Sequence, residues 1–189
     1  MEILVQALVD TVPAWEQALR QLNWHHGLIL VAYLGAAWLC ILNGYIAKGG
    51  EEACANWYVA AAVLSLLAVN AVLHGDVLVT HTLRSLAKLE GWYGERRALQ
   101  YGAVTVLVLA ALWVASGLRR AFAVSDGSCV AVAAGLSVLL VLLALRTVSA
   151  HGTDAMINPH LAGVSVGRWL ELAGLGLVLH GAFQCLRLR

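Results

Sequence analysis

The chain has 189 residues, of which 61% are hydrophobic and 12% charged, and its formal net charge is +1. Soluble domains usually carry about 25% charged residues, so this composition excludes an ordinary soluble protein and indicates that a bilayer solvates much of the apolar surface. Because the net charge is small, we do not expect a nucleic-acid partner. We therefore expect one transmembrane domain over residues 1–189.

The N-terminal segment, residues 1–24, has the pattern of an amphipathic helix. Ile3, Leu4, Ala7 and Leu8 recur at helical spacing among polar residues. A helix of this kind lies in the membrane interface with its apolar face towards the acyl chains. The segment has no basic n-region and no cleavage pattern, so we do not interpret it as a secretory signal peptide.

Five apolar runs follow, and each is about as long as a helix that crosses roughly 30 Å of hydrocarbon. Only helices are expected there, because the bilayer offers no water to satisfy an open backbone. The sequence predicts an all-α, polytopic membrane helix bundle, with aromatic residues such as Trp57 and Trp169 at the interface. The predicted spans are 27–47, 57–73, 101–118, 128–145 and 169–186.

The longest polar connection, between the second and third runs, predicts a second interfacial helix over residues 82–97. Its leucines form one face and its cations another, and cations of this kind extend towards phospholipid head groups. Membrane lipids are therefore expected partners, and a phosphorylated lipid substrate is the sharper alternative. The candidate head-group residues are Arg84, Lys88, Arg96 and Arg97.

Six of the seven histidines fall on one membrane face if the chain crosses five times. Two precede the first span, two flank the end of the second, and two follow the fourth, while His180 lies inside the fifth span. Imidazole and carboxylate groups together are ligands for a divalent transition metal. The candidate metal site consists of His74, Asp76, His81, His151, Asp154 and His160.

Two other interpretations of these residues remain open. Haem needs two axial imidazoles at similar depth, which His74 and His151 satisfy, but the glycine after each indicates a helix end, so haem is less favoured. Alternatively, histidine and aspartate at membrane depth mark proton paths. In either case we expect Asp76 to raise the pKa of His74. The sequence contains no GxSxG, P-loop or CxxCH signature.

Ionisable residues also lie within or next to the last two runs. Arg168 and Glu171 are three residues apart and can pair on one helix, while Arg146 can reach Glu171, Asp76 or Asp154. An intramembrane ionisable group indicates function, and a pair that fixes two helices together is the structural alternative.

Three functions therefore remain open. The first is metal-ion binding or proton-linked transport, the second is a membrane-embedded, metal-dependent enzyme acting on a lipid, and the third is an accessory subunit without a site of its own. We expect a multi-pass protein of the bacterial inner membrane, with the N-terminus outside. It is expected to act as a homo-oligomer or within a larger membrane complex.

Overall fold

The computed structural model describes residues 2–20, 24–47, 51–91, 127–148, 159–161 and 163–188, together with six single residues in the third apolar run. Those six, all helical, are Gly102, Thr105, Val106, Leu109, Leu112 and Ser116. The helices of the described ranges are α1 (Glu2–Arg20), α2 (Trp24–Ile46), α3 (Glu51–Leu73), α4 (Gly75–Leu89), α5 (Gly127–Val148) and α6 (Val166–Arg187). Two short strands, β1 (His160–Leu161) and β2 (Val164–Ser165), form an antiparallel hairpin before α6.

Four of these helices are long and apolar enough to cross a membrane, namely α2, α3, α5 and α6. They coincide with four of the five predicted runs, so the chain is an all-α, multi-pass membrane protein. The third run, 101–118, lies mostly outside the described residues, so a membrane span there stays a prediction. The small hairpin was not predicted. It turns at Gly163, whose φ of 80° favours glycine.

The bundle core is built mainly from small and aliphatic side chains. The helices pack as neighbouring pairs, α2 with α3, α5 with α6, and α2 with α6. The core contains several alanines and three cysteines besides leucine and valine, and small residues allow the close helix approach that stabilises packing in lipid. Trp57 is also part of this core, with 1% of its surface exposed. Protein therefore covers the Trp57 ring, whereas Trp169 is exposed.

The two amphipathic helices pack against each other beside the bundle. Ala7 and Thr11 of α1 are buried, as is Ala87 of α4, and α1 contacts α4 along its length. The Thr82 and Thr11 hydroxyls lie 3.3 Å apart, and the Ser85 hydroxyl donates to the Asp10 carboxylate at 3.1 Å. The predicted amphipathic N-terminal helix is thus present, and its small-residue face is covered by protein.

The helix α4 begins seven residues earlier than the predicted interfacial helix. α3 ends at Leu73, and α4 begins at Gly75, so the chain does not continue as one helix beyond the span. The residue between them, His74, has φ 48° and ψ 45°, which is the left-handed conformation. That conformation breaks the helix at the point where the apolar run meets its first ionisable residues.

Candidate functional site

The most distinctive polar group in the described structure is the carboxylate of Glu171. It lies on α6 inside a candidate span and is only 3% exposed. Arg146 of α5 and Arg168 of α6 both bind its Oε2 atom, with Nη1 at 3.0 and 2.9 Å. The Tyr33 hydroxyl of α2 donates to the other oxygen, Oε1, at 3.1 Å. We call these four residues the Glu171 cluster.

The Glu171 cluster joins three helices that are distant in sequence. Tyr33 lies 138 residues before Glu171, and Arg146 lies near the end of α5. Arg168 is one turn before Glu171 on α6, so its contact is the local one that the spacing predicts. Of the three partners considered for Arg146, the structure brings it to Glu171. Two guanidinium groups share a single carboxylate, so the cluster carries one excess positive charge at neutral pH.

A polar cleft opens beside this cluster at one end of the bundle. The cleft has an open mouth, and the space inside it that a water-sized sphere can enter is about 20 Å³, which is room for about one water molecule. Besides the Glu171 cluster, its polar lining comes from Asn70, His74 and Asp76, which lie around the junction of α3 and α4. Leucines of α5 complete the wall. The cleft therefore collects ionisable groups from α2, α4, α5, α6 and the α3–α4 junction.

The helix break at His74 gives the cleft its shape. Gly75 follows, and a Cβ atom there would lie 2.8 Å from the Asn70 Oδ1 atom, so glycine permits this close approach. The His74 ring packs edge-on against His26 at the start of α2, with ring centroids 5.4 Å apart and planes at 70°. Its buried Nε2 atom has no hydrogen-bond partner among the residues that the structure describes. His26 and His74 thus share one end of the bundle, as the sequence predicts.

Burial decides the protonation of His74. Loss of solvation lowers the pKa of His74, and this effect outweighs Asp76, which raises it, while Arg168 and Arg146 lower it further. Asp76 thus raises the pKa of His74 as expected, but burial outweighs this effect, and the net pKa lies below the ordinary value of histidine. Near neutral pH the imidazole is uncharged, and it can accept a proton.

The predicted metal ligands are only partly brought together. His74 and Asp76 line the cleft, whereas His81 lies on α4 and is not among the lining residues. His151 and Asp154 lie outside the described residues. His160 is in β1, and the strand paired with it leads directly into α6. Within the described part of the chain, no three His, Cys, Asp or Glu side chains come together as a metal site.

The predicted head-group residues on α4 face solvent or lipid. Arg84 and Lys88 are exposed. Of the leucines predicted to form the apolar side, Leu86 is partly buried and Leu89 is 47% exposed. Leu83 is also 50% exposed, because the residue that α1 covers is Ala87. Arg96 and Arg97 lie outside the described residues.

Sequence reasoning missed the role of Tyr33. A tyrosine in the middle of an apolar run is ordinary in membrane helices, and its partner lies on another helix. The signal that the sequence offered is a hydroxyl and a carboxylate in two apolar runs, at similar distances from the same end.

Known proteins do not supply a role for this cleft. Comparison of the chain with protein-family models, curated proteins and solved structures finds no match. The chemistry of the cleft therefore carries the functional argument.

Proposed function

We propose that this protein is a proton-linked transporter and that the polar cleft is the place where a proton and a small polar solute are taken up. The observation that carries the proposal is the carboxylate of Glu171, 3% exposed within the α6 span and next to a cleft lined by further ionisable groups. Ionisable groups at membrane depth are costly, and they commonly mark ion and proton pathways.

The groups around the cleft have the chemistry of a proton path. Asp76 and His74 lie at the membrane-surface end, where α3 and α4 meet. His74 is neutral near pH 7 because burial lowers its pKa, so its unpartnered Nε2 is able to accept a proton from the mouth of the cleft. Tyr33 and Glu171 form the buried hydrogen-bonded pair beyond it. These features support a route from the surface to Glu171.

The described core beyond Tyr33 supports a transporter with one side closed, not an open channel. Ala36 and Cys40 of α2, Leu64 of α3 and Leu136 of α5 each have no exposed surface. These side chains pack together in the apolar core of the bundle. A continuous pore would require water along this path, so exchange with the opposite side requires helix movement.

The experiment is proton flux in proteoliposomes that contain a pH-sensitive dye. With a mixture of small anionic and neutral polar solutes outside the vesicles, we expect protein-containing vesicles to take up protons after an imposed pH gradient faster than empty vesicles. The substitution Glu171→Gln, which keeps size and shape, is expected to abolish the difference. Glu16→Gln is the matched control, because Glu16 is exposed on α1 and pairs only with Arg20 on the surface. Flux in wild-type vesicles equal to that of empty vesicles refutes the proposal.

Metal binding is the second candidate, and the unpartnered Nε2 of His74 close to Asp76 favours it. An imidazole nitrogen and a carboxylate are two ligands of a transition-metal site, which needs at least one more. His151 and Asp154 are the residues proposed to complete it. Elemental analysis of the purified protein tests this function: stoichiometric metal that is lost in His74→Ala supports it. Metal-free protein with no proton flux favours an accessory subunit.

A further inference from the structure

We propose that the solute is a small oxyanion, carrying a carboxylate or phosphate group, and that it binds the guanidinium groups of Arg146 and Arg168 in place of Glu171. The inference rests on the proposed function in that it assigns a substrate class to the same cleft. It depends on separate atoms, however, because the proton acceptor is the carboxylate and the anion site is the arginine pair.

The donor count supports an anion site. A guanidinium group has five N–H donors, and its planar fork matches carboxylate and phosphate oxygens. Arg146 and Arg168 each contact Glu171 through one nitrogen, Nη1, and both contact the same oxygen. Both residues also line the open cleft, and their side chains are 22% and 17% exposed. The pair therefore presents donors to an incoming anion that one carboxylate does not use.

The charge balance links this anion to a proton. With Glu171 ionised, the two arginines and the carboxylate sum to one positive charge. When Glu171 is protonated and a monovalent anion takes its place, the sum is again one positive charge. A buried site that keeps its net charge avoids the large desolvation cost of adding an uncompensated ion. Uptake of the anion and of the proton are consequently favourable together and unfavourable separately.

The groups that face Glu171 from the neighbouring helices agree with this exchange. Tyr33 of α2 donates to Oε1, and its hydroxyl can instead accept the proton of a neutral carboxyl group. Arg146 of α5 and Arg168 of α6 supply the positive charge. Asp76, at the α4 end of the cleft, is the second carboxylate, and its negative charge repels an anion. His74 is neutral, so it changes neither sum.

The binding test uses inorganic phosphate as the probe and calorimetry on the purified full-length protein in an uncharged detergent. Wild type is expected to bind phosphate at a fixed pH, and it should do so more weakly than a variant that lacks the Glu171 carboxylate, which competes for the arginines. Arg146→Gln and Arg168→Gln should each weaken binding by about tenfold or more, the usual effect of losing a charged hydrogen bond. The matched control is Arg187→Gln, at the exposed opposite end of α6.

The decisive variant is Glu171→Gln. The neutral amide cannot compete as a charged group, so phosphate should bind about tenfold more tightly than to wild type at the same pH. A merely structural ion pair predicts instead that binding is absent in every protein. Should Arg146→Gln fail to fold, Arg146→Lys keeps the charge but loses the fork, and it should bind phosphate more weakly than wild type.

Two further arms separate the sources of the anion and the two proposals. Phosphate binding is also measured in nanodiscs with and without phosphatidic acid. Weaker binding of inorganic phosphate in the presence of this lipid identifies a lipid head group as the ligand. Proton flux that occurs without any phosphate or carboxylate solute, together with no phosphate binding, overturns this inference and leaves the proposed function standing. Phosphate binding without proton flux overturns the proposed function alone. Phosphate binding that is no tighter in Glu171→Gln than in wild type overturns the exchange.

Discussion

Arg146, near the end of α5, forms an ion pair with Glu171 on α6, with its Nη1 atom 3.0 Å from Oε2. This contact fastens the two most extensively packed helices of the bundle at the end where the cleft opens. It also places a cation, an anion and an open polar space within one site. The pair therefore contributes both to the position of the helices and to the chemistry of the cleft.

Replacing Glu171 by leucine should destabilise the protein strongly. Removal of the carboxylate leaves two guanidinium groups without their partner in a largely buried site, and breaking a buried pair in this way costs about 3 kcal/mol or more. The measurement is thermal unfolding in detergent, followed by circular dichroism. Glu171→Gln should lose less stability than Glu171→Leu, because the amide oxygen still accepts hydrogen bonds.

The surface pair on α1 provides the control for this prediction. Arg20 and Glu16 are 3.8 Å apart, with side chains 83% and 56% exposed. Pairs of this kind contribute about 0–1 kcal/mol, since water solvates both partners. Glu16→Leu should therefore leave the unfolding temperature nearly unchanged. Equal effects of Glu16→Leu and Glu171→Leu would show that the buried pair has no special role.

Stability should fall when the pH drops below about 6.5, the ordinary pKa of histidine. The pKa values of His74 and His81 are lowered in the folded protein, chiefly by burial. The unfolded chain then binds more protons than the folded chain, so their contribution is complete above about pH 6.5 and is lost as the pH falls through the lowered folded values. Unfolding temperatures measured at a series of pH values test this.

The double variant His74→Gln/His81→Gln isolates these two groups. It should show a weaker decline in stability between about pH 6.5 and about pH 5 than wild type, because the groups responsible are absent. His180→Gln is the comparison, since His180 is exposed on α6 and lies away from the cleft. An unchanged decline in the double variant contradicts the assignment to His74 and His81.

The spans were predictable because the lipid environment imposes a simple rule on each helix by itself. Hydropathy and length identified α2, α3, α5 and α6 to within a few residues at most ends. The end of α3 at Leu73 agrees with the predicted span and with the glycine after His74. The left-handed conformation of His74 was not predicted, because a left-handed residue other than glycine leaves no compositional signal. The pairing of α1 with α4 was also missed, since amphipathicity does not say whether lipid or protein covers the apolar side.

The site was predictable where its contacts are local. The spacing of Arg168 and Glu171 was sufficient for their pair, because three residues make one helical turn. The contacts of Glu171 with Tyr33 and Arg146 depend on how three helices pack, and no spacing encodes that arrangement. The burial of Glu171 follows from this packing and leaves no pattern in the sequence. His74, a predicted metal ligand, lines the same cleft as Glu171.

Replacing Trp15 by phenylalanine should loosen α1 while leaving the bundle intact. The Trp15 Nε1–H donates to the backbone oxygen of Leu73 at 2.5 Å. This oxygen lies at the C-terminal end of α3, where helix carbonyls lack partners within the helix. Loss of the bond costs about 1 kcal/mol. Hydrogen exchange at α1 amides should accelerate, whereas Trp38→Phe, at an exposed position of α2, should not change it.

The closest approach between α5 and α6 leads to the last prediction. A Cβ atom at Gly135 would lie 2.5 Å from the carbonyl oxygen of Gly174, 2.7 Å from the Val178 Cγ2 atom and 3.0 Å from the Val178 amide nitrogen. Two of these are backbone atoms, so no side-chain rotation relieves the overlap and the helices must separate. Gly135→Ala should therefore destabilise the protein by about 1–3 kcal/mol, the usual cost of overpacking.

The control for this prediction is Gly176→Ala, which adds the same methyl group to α6 with nothing within 4 Å. Because alanine favours helix, the unfolding temperature of this variant should match or exceed that of wild type. Equal losses in the two variants would indicate a general cost of replacing glycine and would remove the argument that Gly135 sets the spacing of the helices beneath the cleft.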